Sequence, residues 1–115
     1  MVVWQKAKDL AVRIYTISDE EKRKKDFGLR DQLRRFAVSV PSNLAEGDER
    51  DTDKESVRIF NIAKGSLAEL RTQLQIAYEI GYIEKDFFKN LEQECKSLAG
   101  MIGALIKARK GACGP

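Results

Sequence analysis

Between Leu29 and Ile83 apolar residues recur every three or four positions straight through a proline and two glycines, a pattern that constrains the fold more than any other feature of the chain. Proline deletes a backbone donor and crowds the preceding turn, and glycine weakens a helix interior. Helical phase carried across Pro41, Gly47 and Gly65 therefore means that packing keeps these residues inside helices. One stripe runs Leu29, Leu33, Phe36, Ala37, Val40, Leu44 and Gly47, with Pro41 on its flank. Val40 and Leu44 keep their phase across the proline, so a kink without termination is expected.

Three further stripes flank this one. Val3, Ala7, Leu10, Ala11, Ile14 and Ile17 form the first, with Trp4 and Tyr15 at its edge. Residues 18–26 are charged, offer no core positions and read as a loop. Thr52 with Glu55 is a capping-box signature that opens the third stripe, Phe60, Ala63, Leu67, Leu70, Leu74 and Ala77, which Gly81 closes as a C-terminal cap. The fourth stripe is Phe87, Leu91, Cys95, Leu98, Ile102 and Leu105, and it ends in the basic run 107–110, which suits a helix C-terminus. Four helices with short loops predict an all-α, antiparallel up-and-down four-helix bundle: one domain over residues 1–110 and a frayed tail over 111–115.

The third helix carries more than one stripe. At about 100° per residue, Ile62, Gly65, Ile76 and Ile80 fall on a second face, well away from the first. Either this helix is buried all round, or the second face is an oligomer interface at which Gly65 permits close approach.

The available side chains exclude much chemistry. There is no histidine, which removes the commonest general base and the commonest zinc ligand. Cys95 and Cys113 have neither a disulfide framework nor a metal-ligand spacing. Glu20 with Glu21, Asp48 with Glu49, and Glu92 with Glu94 fall on polar faces or loops, where a solvated surface is the expectation. Glu46 and Glu69 read as helix-end caps or as partners of Arg30, Arg34 or Arg71. Ser39, Ser42 and Ser66 lack an activating base and are expected to bond backbone carbonyls freed near Pro41 and Gly65. A non-enzymatic binding or scaffolding protein without metal or cofactor is therefore expected. No run of 18 apolar residues is present, so a cytoplasmic protein without a membrane partner is expected.

Charge supplies a positive lead. The whole chain is only +3, but the segment 22–35 holds seven basic residues against Asp26 and Asp31, a local +5. Segment 46–55 is its opposite, six acids against Arg50 and Lys54. Arg30 and Arg34 stand one turn apart on one helix flank. With Arg23, Lys24, Lys25 and Arg35 they make a strip able to track phosphates in RNA or DNA. Phe27 and Tyr15 are the neighbouring aromatics able to stack on bases. An ordinary solvated surface is the alternative.

Several runs resemble the 23S rRNA intervening-sequence proteins, also called the S23 ribosomal protein family. They are Trp4, Ala7 and Leu10; Gly28 to Arg35; Ser39 to Gly47 around Pro41-Ser42-Asn43; Ala63 to Thr72; and Gly81-Tyr82-Ile83. The resemblance covers positions 4 to 106. It implies a four-helix bundle assembled into a homopentameric ring, and it extends to the accessory variability determinant of diversity-generating retroelements, which binds nucleic acid and a reverse transcriptase. On this basis the expectation is a homo-oligomer that engages RNA or DNA, with a protein-interaction scaffold, for example for a reverse transcriptase, as the alternative. Asp48-Glu49-Arg50 departs from the family's aromatic-Gly-Arg, and the first loop lacks the family's proline.

Overall fold

A computed structural model describes residues 1–20 and 26–112, which form four helices: α1 (Val2–Ser18), α2 (Phe27–Asp48), α3 (Asp53–Glu79) and α4 (Lys85–Ala112). Three of the boundaries have a clear local cause. The Asp26 carboxylate accepts the Leu29 backbone N–H at 3.0 Å and starts α2, and the Thr52 hydroxyl accepts that of Glu55 at 3.2 Å to start α3. Gly81 has φ +81°, and beside it Tyr82 N–H bonds the Ala77 carbonyl (2.8 Å) while Gly81 N–H bonds that of Tyr78 (3.1 Å). That is the Schellman arrangement, with Tyr82 buried as its apolar plug. Pro41 is buried within α2, which continues seven residues past it to Asp48. α4 runs through Ala112, two residues beyond the expected domain limit.

Neighbouring helices are antiparallel, and the four stripes meet in one core centred on Leu44, Phe60, Leu70, Leu91 and Ile102. The α2–α3 contact explains the small residues. The hydroxyls of Ser39 and Ser66 lie 2.8 Å apart, and the Asn43 amide donates to the Ser39 carbonyl (2.8 Å) and hydroxyl (3.0 Å). The Ser39 and Ser66 hydroxyls thus bond each other across the helices rather than a carbonyl freed by Pro41, and Asn43 adds a side-chain donor to the Ser39 carbonyl. Farther along, Gly47 packs closely against the Phe60 ring, and the Ser56 hydroxyl donates to the Gly47 carbonyl at 2.7 Å. Arg109 of α4 closes this end, donating to Asp48 (3.2 Å), Asp53 (3.3 Å) and Ser56 (3.4 Å) with its guanidinium 5.6 Å from the Phe60 centroid.

Four expectations need correction. Phe87 is exposed, and Phe88 takes the inward place by stacking on Tyr78 with centroids 4.7 Å apart. Both residues lie one turn before Leu91, and the aromatic partner on α3 decides between them. Ile106 rather than Leu105 is buried at the other end of α4. Ser18 is not a loop residue but the buried last residue of α1. Finally, α3 is not buried all round, as its outer face shows.

Candidate nucleic-acid and assembly surfaces

The second face of α3 lies open in the single chain. Ile62 and Ile76 are each 44% exposed and Ile80 is 60% exposed, and a Cβ added at Gly65 would meet nothing within 4 Å. The four residues fall on one side of a 27-residue helix whose opposite side supplies six or more core residues. Glu69, exposed on the same side, makes no ion pair with Arg71, which instead donates to Glu92 of α4 at 2.9 Å. Glu46 pairs with Arg50 one turn later.

The basic end lies where α1 finishes and α2 begins. Arg34 is largely committed to the fold there. Its Nε donates to the Ser18 hydroxyl (2.8 Å), one Nη donates to the Tyr15 carbonyl (3.3 Å), and Asp19 stands 3.8 Å away. The Ser18 hydroxyl in turn donates to the Tyr15 carbonyl (3.2 Å). A cation at the C-terminal carbonyls of α1 also meets the negative end of the helix dipole. The guanidinium lies 4.5 Å over the Tyr15 ring. Arg30 repeats the motif one turn earlier, 4.8 Å over Phe27 and 3.4 Å from Asp31. Arg35 is exposed, with no ion pair to another described residue. Arg23, Lys24 and Lys25 lie outside the described residues. Of the six expected phosphate contacts, Arg30 and Arg34 share one flank of α2 and already have other partners, whereas Arg35 leaves the helix about 100° round from Arg34.

Three titratable groups elsewhere serve packing. Glu92 and Glu94 are not on a free polar face: they are half-buried and bridge α4 to Arg71 of α3 and Arg13 of α1. Cys95 is fully buried, and burial, followed by the negative charge of Glu92, pushes its thiol up to about 12. Cys113 is outside the described residues. Among the described residues, no three Asp, Glu or Cys side chains converge to hold a metal ion, and no helix is long and apolar enough to cross a membrane.

Sequence reasoning missed the roles of Ser18, Arg34 and Arg109. For Arg109 a signal existed: it continues the flank of the fourth stripe four residues after Leu105, opposite the acidic segment. For Arg34 there was none, because only the fold carries the end of α1 to it.

The profile of the 23S rRNA-intervening sequence proteins matches residues 1–104. Among solved structures, a protein of unknown function from the S23 ribosomal protein family of Bacteroides thetaiotaomicron superposes with a TM-score of 0.84 at 22% identity, over 91% of this chain and 98% of that one. A comparison with curated proteins finds no match.

Proposed function

The chain belongs to the 23S rRNA-intervening sequence protein family, and from this premise we propose that it is a non-enzymatic, cytoplasmic binding protein that assembles through the outer face of α3 and engages RNA or DNA through its basic end. The observation that carries this reading is the set of exposed isoleucines, Ile62, Ile76 and Ile80, that share the open outer face of α3 with Gly65. Such a set is costly on a free surface, and a neighbouring copy offers it burial. A homopentameric ring is the proposed form, because a heterologous contact that closes repeats every surface around an axis. Repetition also answers the weakness of a single basic end. Arg35 and the outward edges of Arg30 and Arg34, recurring in each subunit together with the segment 22–25, sum to a continuous field that one copy lacks.

Two measurements test this. Light scattering on the purified chain should give a mass several times 13.0 kDa. Fluorescence anisotropy with a structured RNA and a duplex DNA should show binding that weakens steeply with salt and falls in Arg35→Gln. A monomer that binds neither refutes the proposal. The second reading is a protein scaffold, for instance an accessory subunit of a reverse transcriptase. The prior engagement of Arg30 and Arg34 with Asp31 and Asp19 favours it, and retained assembly without nucleic-acid binding would select it.

A further inference from the structure

Tyr15 borders two clefts. Arg34 lies over its ring, and the two residues line a polar cleft with Thr16 and Asp19. The second is a shallow groove of about 370 Å³ between α1 and α2, lined by Ala11, Val12, Tyr15, Thr16, Val38 and Pro41 and bordered by Lys8. Val12 is 56%, Val38 40% and Tyr15 44% exposed. The spacing is regular: Lys8, Val12 and Tyr15 succeed one another along α1, and Arg34, Val38 and Pro41 run the other way along α2. Lys8 and Tyr15 are seven residues apart, or about 10 Å along the helix. Cations mark both ends of the apolar floor, Lys8 at one, where its ammonium also pairs with the exposed Asp9 at 2.9 Å, and Arg34 just beyond Tyr15 at the other, and no carboxylate lines the groove itself.

We infer that this groove takes an unpaired nucleobase, stacked on the face of Tyr15 opposite Arg34, so that the protein prefers single-stranded to duplex nucleic acid. The inference deepens the proposed nucleic-acid reading and rests on it. A base is flat, apolar on its faces and flanked along its strand by phosphates, which matches an apolar floor between two cations. A duplex hides base faces in its stack and presents phosphates alone. The ring is already held, because the guanidinium above it is fixed by Ser18 and by the Tyr15 carbonyl. Stacking therefore orders little that is not ordered beforehand. Phe27, 62% exposed under Arg30, offers a second aromatic of the same kind two turns before Arg34.

The test compares three fluorescein-labelled probes of about 15 nucleotides, a length that suits one small binding module: a thymidine single strand, an abasic strand with the same phosphates, and a duplex. Anisotropy is read at low and moderate salt. The expected result is at least about tenfold tighter binding of the thymidine strand than of the abasic strand. Tyr15→Leu should erase that difference and leave abasic-strand binding in place, and Val38→Glu, which sets an acid in the groove, should do the same to the base preference. Circular dichroism confirms that both variants fold. Equal affinity for the thymidine and abasic strands, or an unchanged preference in Tyr15→Leu, overturns the inference while leaving phosphate binding standing. Absence of binding to all three probes overturns the inference and the nucleic-acid reading together. A fall in assembly mass in Val38→Glu would assign the groove to a second copy and overturn the inference in that way.

Discussion

Gly47→Ala probes the contact on which the α2–α3 packing turns. An alanine Cβ at this position would stand 2.6 Å from Phe60 Cε1 and 2.7 Å from Cδ1. Carbon atoms pack at about 3.5–4.0 Å, so a shift of about 1 Å is required. The ring cannot supply it freely: Phe60 is fully buried, Ser56 ties the Gly47 backbone to α3, and Arg109 lies over the ring. The helices must separate or the ring must leave its rotamer, and overpacking of this kind costs about 1–3 kcal/mol. Alanine recovers up to about 1 kcal/mol of helix propensity in a helix interior, and less here because Gly47 is the penultimate residue of α2. The net expectation is a loss of about 1–2 kcal/mol. With a urea dependence of about 2 kcal/mol per molar, the middle of the range for small domains, the unfolding midpoint falls by about 0.5–1 M. Circular dichroism at one fixed protein concentration reads this without interference from assembly. In a Phe60→Leu background the ring edge is gone, so the two substitutions together should cost less than their sum. A Gly47→Ala midpoint at or above that of the parent refutes the close-contact explanation.

Arg34→Gln should lower stability by about 1–2 kcal/mol by stripping donors from the buried Ser18 hydroxyl and the Tyr15 carbonyl, whereas Arg35→Gln should stay within about 0.5 kcal/mol; equal thermal shifts would show that Arg34 does not tie down α1. Gly65→Leu should preserve or raise helicity, since its Cβ meets open space and leucine is the better helix former, yet lower the assembly mass in light scattering; an unchanged mass refutes an interface on that face. Cys95 should resist a thiol reagent until the chain unfolds, because its neutral form is favoured by burial. Its folded value is raised from 9.0 to about 12, so the unfolded chain alone loses the proton above pH 9. Stability should then decline as pH rises from 9 toward 12, by about 1.4 kcal/mol per unit; a Cys95→Ala variant with the same alkaline slope would refute that origin.

Helix number and most core positions were legible because each stripe repeats a single rule over several turns, and a rule repeated that often survives local exceptions. Pro41 illustrates the point: Leu33, Ala37, Val40 and Leu44 outvote one missing backbone donor. Where a single turn decided the matter, the pattern was silent. Positions 87 and 88 are both one turn from Leu91, and only Tyr78, supplied by another helix, selects Phe88. The basic strip was harder for a related reason. A run of arginines reports charge along the chain, but not which guanidinium the end of a neighbouring helix will claim, and α1 claims Arg34 through Ser18 and Tyr15. That claim changes how substitutions on this surface must be read. Neutralising Arg30, Arg34 and Arg35 together would loosen α1 while removing phosphate contacts, so lost binding would have two causes. Arg35→Gln alone, set beside Tyr15→Leu, separates charge from stacking because neither residue's side chain donates a hydrogen bond that the end of α1 requires.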